Sequence, residues 1–76
     1  MSNQGNHPRT LLNTVGQQRR QTIRYETNST GPQNNPTWTA TVYIGDMQYG
    51  QGQGLTKGQA QDAAAQAALD LIAQGY

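Results

Sequence analysis

The sequence predicts an α+β domain with the element order α-β-β-β-α, in which both helices cover one face of a three-stranded antiparallel sheet. Three observations carry this prediction. Residues 37–44 alternate between apolar and polar side chains, as a half-buried strand does. The pair Gly45-Asp46, directly after them, is typical of a tight hairpin. Further along, alanine recurs at every fourth residue, as on the apolar face of a helix, at positions 60, 64 and 68.

The first helix is predicted to begin at Pro8, since an opening helical turn leaves its N–H groups unpaired and proline has none to lose. Its apolar stripe consists of Leu11, Leu12 and Val15, which follow at helical spacing. A separate polar face carries Thr14, Gln17 and Gln18. We expect the helix to end near Arg19 and Arg20, whose positive charge suits a helix C-terminus.

The two outer strands have weaker signals than the middle one. Residues 22–27 alternate, with Ile23 and Tyr25 facing one side, and predict the first strand. Residues 28–36 are rich in turn formers and predict a loop. The third strand is predicted at residues 47–51. It ends among glycines that are interpreted as a flexible entry to the last helix, at positions 50, 52 and 54.

The last helix is predicted to open with a capping box, in which Thr56 caps the N–H of Gln59 and Gln59 bonds back to the N–H of Thr56. The apolar stripe beyond it is narrow and made mostly of alanine, which favours close packing on a sheet. Only one face of the middle strand is apolar, so both helices are expected on that face.

The composition limits the range of functions. A chain of 76 residues suffices for one domain, assigned to residues 7–74, behind a polar tail at residues 1–6 that is expected to be disordered. With no cysteine and one histidine, neither catalysis nor a metal, cofactor or small-molecule substrate is expected. The short apolar runs predict an intracellular protein without a membrane segment. A net charge of +1 is low for a nucleic-acid binder.

Several short pieces, in consistent order and spacing, resemble the double-stranded RNA-binding domain family from about Pro8 to Ile72. They are Leu12-Asn13-Thr14 with Gln17, then Tyr25, Gly31-Pro32, Trp38, Gly52-x-Gly54-x-Thr56-Lys57 and the alanine stripe of the last helix. The resemblance implies the fold described above. It also implies a non-catalytic module that binds A-form duplex RNA by shape, 2′-hydroxyl and phosphate contacts, largely independent of sequence.

The resemblance further implies two regions that contact successive minor grooves of the duplex. The first region lies in the first helix and consists of Thr14 and Gln17, with Gln18 as a neighbour. Neutral donors and acceptors such as these suit a groove lined with hydroxyls. The second region lies in the loop after the first strand and consists of Pro32 and Asn34, which stands where the family usually has histidine. Asparagine also donates and accepts hydrogen bonds.

A third implied region lies at the start of the last helix, where the family has three basic residues that pair with phosphates. This sequence has Lys57, Gly58 and Gln61 at these positions. They are expected to share one exposed helix face by their spacing. Because phosphate contacts dominate affinity, the loss of two cations predicts weaker binding.

Two alternatives stay open. The missing charges favour a degenerate domain that serves as a protein-interaction or dimerisation module, and the uncovered face with Thr37, Thr39, Thr41 and Tyr43 is a possible docking surface. The other alternative is an inhibitor that shields RNA from processing enzymes.

Additional phosphate contacts near the first helix are expected from Arg9, Arg19 and Arg20, whereas Arg24 is interpreted as part of an ordinary solvated surface.

Overall fold

The computed structural model describes residues 7–76 and contains the predicted elements in the predicted order. They are α1 (Pro8–Arg19), β1 (Ile23–Thr30), β2 (Thr37–Ile44), β3 (Met47–Gly54) and α2 (Lys57–Ala73). The sheet is antiparallel with β2 in its centre. The predicted fold class is confirmed. The disordered tail predicted at residues 1–6 lies outside the described residues.

One face of the sheet carries the hydrophobic core. Alternate residues of β2 are buried there, namely Ala40, Val42 and Ile44. They pack against a row of alanines from α2, at positions 60, 64, 65 and 68. α2 lies on β2 and β3, while α1 packs mainly on α2 and inserts Leu12 into the core. Leu11, predicted to belong to the same stripe, is 38% exposed because it lies about 100° around the helix from Leu12.

β1 extends to Thr30, three residues beyond its predicted end. Its last four residues pair with β2 from Ala40 back to Thr37. Threonine favours strands, and the pairing partners in β2 are regular strand residues. The loop therefore shrinks from the predicted residues 28–36 to residues 31–36.

β3 is also longer than predicted, and its glycines are packed rather than flexible. Gly50, Gly52 and Gly54 pair with β2 and face α2. A Cβ atom on Gly54 would lie 2.6 Å from the Cβ of Gln59. The absence of side chains therefore lets the α2 backbone lie directly on the strand. The interpretation of these glycines as a flexible entry to the helix is wrong.

The helix ends agree with the sequence predictions except in one hydrogen bond. α1 ends at Arg19, and Arg20 takes a left-handed conformation with φ 56°. The Thr56 side chain caps α2 by accepting from the N–H of Gln59 at 3.1 Å. The Gln59 side chain, however, accepts from the N–H of Leu55 at 2.9 Å, one residue before the predicted donor.

Candidate nucleic-acid interface

Two of the three predicted contact regions meet at one end of the sheet. Residues 31–36 connect Thr30 to its pairing partner Thr37, and β3 ends opposite Trp38 at the same end. α2 therefore begins at the end of the sheet that carries the β1–β2 loop. The N-terminal end of α1 lies beside the first turns of α2, because Arg9 hydrogen-bonds to Gln61 and Asp62.

The polar face of α1 is exposed and carries the predicted residues. Thr14, Gln17 and Gln18 are all exposed, and they span about 100° of the helix surface. The Thr14 hydroxyl donates to the Thr10 carbonyl at 3.2 Å, so its oxygen presents acceptor lone pairs outward. This face offers neutral hydrogen-bonding groups rather than charge.

Sequence reasoning missed two residues of the same surface, Thr10 and Asn13. Both are exposed, and together with Arg9 and Asp62 they border a shallow depression of about 400 Å³ between α1 and α2. The signal that could have found them is helical spacing, since they precede Thr14 and Gln17 by four residues each. The polar face of α1 thus continues without interruption to the start of α2.

The β1–β2 loop is a tight turn that presents its predicted residues outward. Gly31 has φ +92°, which side chains other than hydrogen rarely allow. The N–H of Asn35 donates to the Pro32 carbonyl at 3.0 Å and closes the turn. Pro32 and Asn34 are exposed at its tip. The Asn34 amide is therefore placed to donate and accept outside the domain.

The start of α2 differs from the prediction of one exposed face. Lys57 is exposed, but Gly58 and Gln61 are partly buried. The cause is Arg9 of α1, whose Nη1 donates to Oε1 of Gln61 at 3.0 Å and whose Nη2 lies 3.7 Å from where a Cβ of Gly58 would be. The guanidinium therefore covers the two positions that lack a basic side chain.

The Arg9 guanidinium also forms an ion pair. Its Nε lies 2.7 Å from Oδ1 of Asp62, and both side chains are partly exposed. Of the other arginines considered for phosphate contacts, Arg19 donates to the Tyr76 carbonyl at 3.2 Å, near the C-terminal end of α2. Lys57 takes part in neither of the two salt bridges found within residues 7–76.

The charges of Arg9 and Asp62 act on Tyr25, a half-buried residue of β1. Its hydroxyl is buried and has no hydrogen-bond partner within the described part of the chain. Burial raises the pKa of Tyr25 above its usual value; the Arg9 charge opposes this shift and the Asp62 charge adds to it. Burial thus favours the neutral form of the hydroxyl.

Both helices lie on the core face of the sheet. On the opposite face, polar side chains hydrogen-bond to one another. Gln51 donates to the Thr41 hydroxyl at 3.3 Å. Arg24 pairs with Glu26, and its guanidinium lies 4.3 Å from the centre of the Tyr43 ring. Arg24 is exposed, as the sequence predicted, and contacts Glu26 and Tyr43 on this surface.

Residues 7–76 contain neither a candidate metal site nor a helix that could span a membrane. No cluster of three or more histidine or acidic side chains in this range is arranged to hold a metal ion. Neither helix has the length and apolar character that crossing a bilayer requires.

Residues 8–72 match the model of the family described as the double-stranded RNA binding motif. The chain belongs to this family, which confirms the predicted class, a double-stranded RNA-binding module. Among solved structures, the second such domain of DRB4 is 31% identical, with a TM-score of 0.67 over 86% of this chain and 93% of that one. The first such domain of HYL1, 24% identical with a TM-score of 0.74, covers 86% of this chain and 94% of its own, and supports the fold alone.

Curated relatives in bacteria carry the name ribonuclease 3. The protein from Corynebacterium efficiens is 41% identical over 63 residues, which make up 82% of this chain and 26% of the relative. The protein from Zymomonas mobilis is 39% identical over 70 residues, or 90% of this chain and 28% of the relative. The chain thus spans about a quarter of the length of these relatives.

Proposed function

We propose that the domain binds duplex RNA through one continuous surface. This surface consists of the polar face of α1, the tip of the β1–β2 loop and the first turns of α2. The observation that carries this proposal is the placement of an uncharged polar helix face beside the N-terminus of α2 with its exposed Lys57. The surface would read the shape of an A-form duplex rather than its sequence.

The chemistry of the surface fits the two kinds of group that such a duplex exposes. The minor groove of A-form RNA is wide and shallow and is lined with 2′-hydroxyls, which pair with neutral donors and acceptors such as Thr14 and Gln17. Phosphates need positive charge, and Lys57 lies in the first turn of α2, where the helix dipole adds to its attraction. Asn34 would contact a second minor groove from the loop.

We expect weak binding with a modest dependence on salt. Each phosphate contact adds just under one unit to the slope of log affinity against log salt. With Lys57 as the one cation on the first turns of α2, and few others near α1, the slope should be roughly −2 to −3. The neutral hydrogen bonds of α1 then contribute a large share of the affinity.

The domain is proposed to hold RNA inside the cell without transforming it. Its one histidine and four acidic residues offer little catalytic chemistry, and Asp62 is engaged by Arg9. The relatives named ribonuclease 3 are about four times as long as the matched region. If this chain is part of a comparable protein, we propose that it is the RNA-holding part and that any cleavage belongs to another domain.

A titration with labelled duplex RNA tests the proposal. The duplex should have about 20 base pairs, longer than the ~16 that a domain of this class spans. Lys57→Ala should weaken binding by about tenfold, as the loss of one charge-assisted hydrogen bond does. Arg24→Ala removes the same charge from the opposite face of the sheet and should leave binding within about twofold. Equal effects of the two substitutions would contradict the proposed surface.

A further inference from the structure

A positively charged side chain of α1, Arg9, lies against the start of α2. The first turns of α2 carry Lys57 as their one basic residue, yet the Arg9 guanidinium from α1 lies directly over them. Its contacts are to Gln61 at 3.0 Å and to Asp62 at 2.7 Å, and its Nη2 lies above Gly58. A cation from α1 therefore stands at the positions where α2 itself has none.

The orientation of the guanidinium leaves donors available. A guanidinium has five N–H donors, of which Asp62 and Gln61 take one each. The side chain of Arg9 keeps 45% of its surface exposed in this arrangement. The remaining donors form the planar fork that matches the oxygen atoms of a phosphate.

The lack of a side chain at Gly58 leaves room for the guanidinium. A Cβ atom there would already be in contact with Arg9 Nη2 at 3.7 Å, so a longer side chain would compete with the guanidinium for the same space. Lys57, the N-terminal end of the α2 dipole and Arg9 then bring three positive features to one small area. Asp62 offsets part of that charge while RNA is absent.

We propose that Arg9 is a phosphate-binding residue of the RNA surface, supplied by α1 in place of the basic residues that α2 lacks, and that Asp62 both orients it and attenuates its charge. This inference rests on the proposed RNA-binding function. It gives Asp62 a role opposite to that of a simple structural partner, because removal of its charge strengthens RNA binding.

The test compares charge-matched variants in titrations with the same RNA duplex of about 20 base pairs at several salt concentrations. Arg9→Gln and Asp62→Asn change the pair between the helices. Arg24→Gln and Glu26→Gln make the same changes of net charge in the ion pair on the opposite face of the sheet. Thermal unfolding followed by circular dichroism establishes that each variant is folded.

Arg9→Gln should weaken binding by about tenfold and make the salt slope shallower by about one unit. Arg9→Lys should retain the slope of the wild type, because it keeps the charge. Asp62→Asn should tighten binding by roughly threefold to tenfold, since it frees the charge of Arg9 while an amide oxygen still accepts its hydrogen bond. The two control variants should stay within about twofold of the wild type.

Two outcomes would overturn the inference while leaving the proposed function standing. One is an affinity of Arg9→Gln equal to that of Arg24→Gln. The other is weaker binding by Asp62→Asn, which would mean that the ion pair only stabilises the packing of the two helices. If the wild type itself fails to bind the duplex, the proposed function and this inference fall together.

Discussion

The backbone nitrogen of Ala64 lies 2.5 Å from the position that a Cβ atom on Gly52 would occupy. No real side chain fits such a contact, so the helix and the strand approach each other as closely as two backbones permit. The core gains its density from this approach, because the side chains that α2 buries there are all alanines. The orientation of α2, and with it the position of Lys57 on the proposed RNA surface, depends on glycine at positions 50, 52 and 54 of β3, where the helix backbone approaches most closely.

Gly52→Ala should therefore destabilise the domain strongly, by at least about 2 kcal/mol, because the new methyl group must push the α2 backbone away. Gly58→Ala is the matched control, since its methyl group meets only ordinary contact at 3.7 Å. Alanine is a better helix former than glycine, so this control should gain about 0.5–1 kcal/mol. Urea denaturation measures both, and similar free energies of unfolding for the two variants would refute the packing account.

The buried hydroxyl of Tyr25 predicts a dependence of stability on alkaline pH. Its pKa in the folded state is raised, so the unfolded chain loses this proton at lower pH than the folded chain does. The contribution of Tyr25 to the free energy of unfolding is thus complete below about pH 10 and declines as the pH rises toward the folded-state pKa. Tyr25→Phe should remove this part of the decline.

At neutral pH the same substitution should be neutral or stabilising by up to about 1 kcal/mol, because the hydroxyl has no hydrogen-bond partner within residues 7–76. Denaturation midpoints measured between pH 7 and pH 11 cover both expectations. A clear loss of stability at neutral pH would indicate a hydrogen bond to the hydroxyl and would contradict the buried, unpartnered state.

The contact between Arg9 and Gln61 predicts that substitutions at these two positions are not independent. Gln61→Lys should raise RNA affinity by less than about twofold in the wild type, since the new ammonium repels Arg9 and the oxygen that accepts the Arg9 hydrogen bond is lost. In an Arg9→Gln background the same substitution should raise RNA affinity by about tenfold, which is the effect of one regained phosphate contact. Duplex RNA titrations of the four proteins complete the cycle, and additive effects would contradict coupling between the positions.

The elements with clear side-chain patterns were predicted well from the sequence. The alternation of β2 and the cap of α2 at Thr56 both depend on neighbouring residues, and the structure confirms them. The sequence predicts too short a β3, because glycine has no side chain that could form an alternating pattern. Its glycines still alternate with glutamines, but their meaning is apparent only once α2 lies against them.

The candidate site was predicted in part, and the missing part has a physical reason. The exposure of Thr14, Gln17 and Lys57 follows from helical spacing. The position of Arg9 over Gly58 and Gln61 depends on how α1 packs against α2, and Arg9 and Asp62 are 53 residues apart in the chain. No local pattern encodes such a contact, so the start of α2 was predicted to be exposed and poor in charge.

The most direct test of duplex recognition by shape is a comparison of RNA and DNA duplexes of the same sequence and length. At about 20 base pairs and equal salt, we expect the RNA duplex to bind at least about tenfold more tightly, because the polar face of α1 pairs with 2′-hydroxyls that DNA lacks. Gln17→Ala should reduce this preference. Equal affinity for the two duplexes would contradict the account, since a surface that attracts only phosphates cannot tell them apart.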